Sequence, residues 1–399
     1  MNISAREKLL PQEETLEITK SGKKLTIGLP FESSFQENRI ALIPDAVKTL
    51  VKHGHEIVMQ RNAGLAAHFS DHEYAEAGAF ITETPEEVFK SDIILKVAPL
   101  SDSEIDYLRG RQYLISALHL NAQTKEYFQK LIQRKISAIA FEYIKDKTNA
   151  SPVVRSISEI AGTASIQIAA EYLAHPEFGN GRMLGGFTGI AASEVVILGA
   201  GTVGEYAARM AIGMGAVVKV FDNNVYKLRK LKSEVSQGLF TSTVQTAELQ
   251  KALINADVVI CAVHSRHHRS PILITAEMVA MMKEGSVIVD VSIDQGGCAE
   301  TSFTTTHEKP VFRVHGVTHY CVPNIASRVP NTASIALSNF FAPMLIRAGD
   351  LGGIDKLLSS DFYFRQGVYL YNGILSNKII GEYFGLPYQD MDLLMAAFH

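Results

Sequence analysis

The chain has 399 residues, 47% hydrophobic and 20% charged, with a net charge of −4 at pH 7. That length suggests two domains with ample material for cores. Charges of both signs are mixed, with no basic run and no apolar run of membrane-spanning length, so neither a nucleic-acid partner nor a membrane is expected.

Residues 1–24 are charged and lack an apolar core. They read as an extension, part of it helical, rather than a signal peptide, and cytoplasm is the default location. From residue 25 onward apolar runs alternate with helical patterns, which argues an α/β fold with parallel sheets. Strands are expected over 24–29, 56–60, 93–97, 113–118 and 137–142. Helices are expected over 44–54, 85–90, 124–133 and 156–173. A glycine-rich stretch, 176–189, precedes a second block: a strand over 194–198, a glycine turn, a helix to 214 and a strand over 217–221. Further strands are expected at 258–262 and 286–291, with a helix at 275–283 between them. The tail reads as a helix over 332–348 and shorter helical pieces at 354–358 and 366–374. It adds no third core, so it is expected to return to the first block.

The glycine turn carries the clearest chemistry. Gly199-Ala200-Gly201-Thr202-Val203-Gly204 follows four apolar residues, opens a helix, and is followed 18 residues later by Asp222 at the end of the next strand. This is the dinucleotide-binding context. Gly199 allows the tight turn, Gly201 lets backbone approach a pyrophosphate, and Gly204 lets the helix pack on the sheet. The helix N-terminus offers free N–H groups to phosphate. Asp222 would accept from the adenosine ribose and repel a 2′-phosphate, favouring NAD over NADP; capping the following helix is its alternative role. Lys227 is placed with the cofactor-binding residues.

Other segments bear a resemblance. Glu37-Asn38-Arg39-Ile40-Ala41-Leu42-Ile43-Pro44, Leu118-His119-Leu120, Ser158-Glu159-Ile160-Ala161-Gly162, the glycine turn, Asp290 to Cys298 and Tyr320-Cys321-Val322-Pro323-Asn324 agree in order and spacing with one family. The chain resembles the alanine dehydrogenase and pyridine nucleotide transhydrogenase (alpha subunit) superfamily, on the alanine dehydrogenase branch. The resemblance implies two Rossmann-like domains, the NAD-binding one inserted into a discontinuous substrate domain. Its boundaries are an extension (1–24), the first part of the substrate domain (25–155), the NAD domain (156–328) and a returning part (329–399).

It also implies a homo-oligomer, hexamer or dimer, and NAD-dependent oxidative deamination of alanine to pyruvate and ammonia. By the same resemblance Arg39 binds the substrate carboxylate, and His119 and Asp294 are acid/base groups. Ser158 touches cofactor phosphate, and Asn324 lines the nicotinamide side. The residue types suit this. Arginine fixes a carboxylate with two parallel bonds, histidine titrates near neutrality, and a carboxylate stabilises an iminium. Without the resemblance, Arg39 reads as a surface arginine. His119 ends an apolar strand, the usual place for ligand-facing residues, with a core histidine as its alternative, and the alternative for Asp294 is a turn former.

The sequence also departs from the family. Alanine dehydrogenases carry Lys-Val-Lys-Glu-Pro where this chain has Lys96-Val97-Ala98-Pro99-Leu100, so the substrate-contacting lysine position is Ala98. Arg155, before Ser158, is a candidate to restore positive charge. His264, His267 and His268 read as a basic or gating loop rather than a metal site, and no metal is expected. Cys261, Cys298 and Cys321 share no close spacing, which fits a reducing compartment, with Cys298 a packed residue. Two other readings stay open: a transhydrogenase-like NAD(H)-binding component and a saccharopine dehydrogenase-like enzyme.

Overall fold

The computed structural model describes residues 22–34, 36–265 and 269–398. The extension expected to be part helical lies, up to residue 21, outside the described residues, as do His267 and His268.

Fifteen strands among the described residues form two sheets. The first contains β1 Thr26–Leu29, β2 Glu56–Gln60, β3 Phe80–Thr82, β4 Ile93–Leu95, β5 Tyr113–Ser116 and β6 Ser137–Ala140. The second contains β7 Glu194–Leu198, β8 Val217–Phe221, β9 Phe240–Ser242, β10 Val258–Cys261, β11 Val287–Asp290, β12 Val311–Val314 and β13 Val317–Tyr320. The tail adds β14 Val368–Tyr371 and β15 Ile374–Leu375. The strand orders are β15-β14-β6-β5-β4-β1-β2-β3 and β12-β13-β11-β10-β7-β8-β9. Among these strands the antiparallel pairs are β12–β13, β14–β15 and β14–β6.

The apolar runs follow from burial on both faces, as parallel sheets covered by helices require. Along β7, Val195 and Ile197 enter one core while Val196 and Leu198 enter the other. Along β4, Ile93 and Leu95 face one core and Ile94 the opposite one. The two sheets therefore have their own pairs of cores, and tail strands β14 and β15 complete the first sheet. The second unit is thus inserted into the first.

Two expectations need correction, and some short strands were not expected. The piece at 366–374 is not helical. Asn372 (φ 49) and Gly373 (φ 79) form a tight turn, and β14 and β15 make a hairpin beside β6. Asn-Gly is the strongest short-range hairpin signal, because both positions need φ above zero. The helix expected from 156 spans Pro152–Ala174, with Pro152 in its first turn, where the missing N–H costs nothing. Short edge strands β3, β9 and β12 were not anticipated, because three or four half-exposed residues carry little periodicity.

Candidate active site

The C-terminal ends of the strands in both sheets border one cleft of about 370 Å³, the usual location of ligands in open α/β sheets. Arg39, His119 and Glu142 enter it from the first sheet's side, and Ser292, Asp294, Gln295 and Asn324 from the second. Ser158 and Val203 lie on the wall beside the glycine turn, and Phe141, Val153 and Ile157 contribute apolar surface.

Arg39 is buried, and its guanidinium is held side-on by Glu37: Nε donates to Oε1 at 2.7 Å and Nη2 to Oε2 at 2.6 Å. Burial would raise the Glu37 carboxyl, but the Arg39 charge and its hydrogen bonds outweigh it, and the group sits below its ordinary range. Asn324 ties this pair to the second unit. Its Nδ2 donates to Glu37 Oε2 at 2.9 Å, and its backbone N–H donates to Asp294 Oδ1 at 2.9 Å.

His119 follows β5 and Asp294 follows β11. Each is open to the cleft yet walled in by protein. Burial and then the Arg39 charge push the His119 imidazole below its ordinary value, against a smaller opposing effect of Glu37. Burial raises the Asp294 carboxyl, against the Asn324 N–H and Arg39. Both shifts favour the neutral forms. His119 (φ 48) and Asn324 (φ 55) are non-glycine residues in the left-handed region. Such backbone costs about 1–3 kcal/mol and persists where the surroundings enforce it, often at functional sites.

The glycine turn has the geometry to take a dinucleotide. Gly199 has φ +108, and a Cβ there would lie 2.3 Å from Ala262 O. At Gly204 a Cβ would lie 1.9 Å from Gly199 O. A Cβ on Gly201, by contrast, would meet nothing within 4 Å. Open space therefore stands above Gly201, at the start of helix Thr202–Gly213, whose N-terminus has no side-chain cap. Asp222 reaches across the turn: Oδ2 accepts from Ala200 N at 2.8 Å and Oδ1 from Asn224 N at 2.7 Å. The cap of the next helix is Asn224, not Asp222. Lys227 is exposed and near enough to His264 to lower its pKa, after burial.

Arg39, His119, Ser158, Val203, Asp294 and Asn324 thus share one cleft, while Gly199, Gly201, Thr202, Gly204, Asp222 and Lys227 lie along or near the adjoining turn. Arg155 does not enter. Its Nε bonds Glu159 Oε1 at 3.2 Å, one helical turn on, and its side chain is about half exposed. Ala98 is buried away from the cleft lining, and Lys96 is engaged with Glu104 at 2.8 Å and Glu32 at 3.8 Å. No lysine lines the cleft among the described residues.

Sequence reasoning did not single out Glu37 or Glu142 as site residues. Glu37 stood two positions from Arg39, whereas Glu142 had no local signal. The three cysteines, far apart in sequence, are all buried and free. Ligand atoms of Cys261, Asp290 and Cys298 lie within 4.8 Å of one another. Asp290 Oδ2 there accepts from Cys298 N at 3.0 Å and Ser302 Oγ at 2.7 Å, which braces the loop carrying Asp294.

The whole arrangement has relatives. Residues 28–161 match the family described as alanine dehydrogenase/PNT, N-terminal domain, and residues 165–378 match its C-terminal domain. The chain is 37% identical over 373 residues to alanine dehydrogenase of Mycolicibacterium smegmatis, covering 93% of this chain and 100% of the relative. It is 37% identical over 365 residues to that of Bacillus subtilis, covering 91% and 96%. A solved L-alanine dehydrogenase superposes with a TM-score of 0.84 at 36% identity, covering 90% of this chain and 99% of that one. A transhydrogenase from Sinorhizobium meliloti shares the fold at 24% identity, with a TM-score of 0.75 and coverage of 89% and 99%. With both domains matched and more than a third of positions identical over nearly the full length, the chain belongs to the alanine dehydrogenase/PNT family.

Proposed function

We propose that the protein is an NAD-dependent dehydrogenase that reversibly deaminates L-alanine to pyruvate and ammonia. The observation that carries this is one cleft in which Arg39, His119 and Asp294 meet beside an open glycine turn. The Gly201 backbone and the uncapped helix start would hold the pyrophosphate, Ser158 a phosphate oxygen, Asp222 the ribose and Asn324 the nicotinamide side. Thr202, Val203 and Lys227 complete that surface. Once bound, NAD accepts the hydride from the substrate α-carbon.

Glu37 fixes the side-on edge of Arg39, and the end-on Nη1/Nη2 edge is assigned to the substrate carboxylate. A two-bond clamp there orients the α-carbon. His119, kept neutral by burial and by Arg39, takes a proton from the amine or from the attacking water and returns it in the reverse direction. Asp294 shares that proton traffic and stabilises the iminium charge. We further propose a homo-oligomer, hexamer or dimer, acting in the cytoplasm.

The test mixes protein, NADH, ammonium and pyruvate and follows the nicotinamide absorbance, with His119→Ala as control. NADH consumption, lost by at least about 100-fold in the variant, is the expected result. Binding of NADH without turnover on pyruvate would remove the alanine assignment, and a panel of other keto acids would follow. NADPH is expected to serve poorly because of Asp222.

A further inference from the structure

We infer that Glu142 is the positioning residue for His119, acting as the acceptor that holds the left-handed backbone on which the imidazole enters the cleft. The inference deepens the reading of the site above and rests on it.

The backbone supplies the need. His119 has φ 48, where a residue with a Cβ does not stay unless held. It follows β5, just where the strand must stop for the side chain to reach the cleft. Glu142 supplies the hold. It sits just after β6, β5's parallel neighbour, whose Ala140 is in register with Ser116. The two strand ends therefore bring residues 118–119 and 142 side by side. Glu142 Oε1 accepts the N–H of Leu118 at 2.7 Å and that of His119 at 3.1 Å. One oxygen thus fixes two consecutive peptide groups, and with them the direction in which the His119 Cβ leaves the backbone.

The other oxygen shows what kind of group this is. Glu142 Oε2 is buried and has no hydrogen-bond partner among the described residues. Glu142 also lines the cleft, but the hydrogen bonds of its carboxyl go to the backbone that carries His119. A bare carboxylate oxygen in such a place is costly, whereas a protonated one is less so. Burial raises the Glu142 carboxyl above its ordinary value, against the N–H groups of Leu118, of Glu142 itself and of His119. The His119 imidazole takes its own shift from burial, Arg39 and Glu37. The geometry thus gives the carboxyl a placing role, one oxygen fixing the backbone from which the ring departs. A neutral amide of the same shape should replace it, and an alkyl group should not.

The test compares Glu142→Gln with Glu142→Ala, using Glu142→Met if the alanine variant does not fold. Two readouts are taken: steady-state reductive amination and titration of the His119 ring by NMR. The glutamine variant is expected to keep kcat within about threefold and to leave the ring pKa unchanged. The alanine variant is expected to lose about 100-fold in kcat, the cost of a misplaced catalytic group, with KM for NADH unchanged. Its His119 ring, no longer held in the cleft, should titrate nearer the ordinary value of about 6.5. Equal losses in both variants would overturn the inference in favour of a charged role, and an alanine variant matching wild type in both readouts would overturn it outright. Should wild type fail to turn over pyruvate, the alanine assignment falls. The ring titration still decides the role of Glu142.

Discussion

Lys96 is fully buried between two carboxylates, Glu104 and Glu32, with Nζ 2.8 Å from the first and 3.8 Å from the second. One positive charge cannot neutralise both in a dry interior, so one carboxyl keeps its proton. Glu104 has the closer contact. Glu32 is pushed up to about 8, by burial first, with Lys96 opposing and Glu37 adding to it. A folded-state pKa above the unfolded one means that the folded chain holds more protons between them. This group's contribution to stability is therefore fully present below about pH 4.5 and is lost as pH rises toward 8. Glu32→Gln should flatten that decline, raising Tm at pH 8 by about 2 °C or more while leaving Tm at pH 5 unchanged, as thermal melts across pH would read. At the cleft, Arg39→Lys keeps the charge but loses the planar fork that Glu37 and a carboxylate share. KM for pyruvate should rise by about 10-fold or more, with NADH affinity unchanged in a fluorescence titration. Arg39, His119 and Asp294 could be found in the sequence because each sits in a distinctive local string. Glu142 could not, since its partners are 23 and 24 positions away and strand pairing alone brings them together.

At the scale of elements, the long helix Pro152–Ala174 lies against the start of helix Thr202–Gly213 with unusually little between them. A Cβ on Gly162 would lie 2.3 Å from Val203 O and 2.9 Å from the Tyr206 Cβ. That approach sets Ser158 and Val203 on the same wall of the cleft. Gly162→Ala must push the helices apart, costing about 1–3 kcal/mol. NADH affinity should fall along with thermal stability, as calorimetric titration and melts would show. Retained NADH affinity in a destabilised protein would mean that this packing does not shape the dinucleotide site. The glycine turn and its flanking strands were legible because their period and punctuation are local. The tail hairpin was misread even though Asn372-Gly373 is itself a local signal, because the apolar residues on either side also suit a short buried helix.

At the scale of the whole molecule, the candidate groups are divided between two units, with Arg39 and His119 on one and Asp294 on the other. Asn324 already bridges them through Glu37. A ligand bound to both sides gains contacts only when they approach, so closure is expected when cofactor and a keto acid are present together. Small-angle scattering should show a smaller radius of gyration for that ternary mixture than for protein with keto acid alone. No difference would mean that the cleft is already at its working width. The sequence by itself determined the α/β class, the glycine turn between strand and helix and the residue types at the strand ends, because periodicity, glycine spacing and turn chemistry act over a few residues. Only the tertiary structure decided that Glu37 clamps Arg39, that Glu142 holds His119, that Arg155 and Lys96 face other partners, and that three distant cysteines share one interior. Those contacts depend on which strands lie side by side, and sheet order is settled by burial over the whole chain.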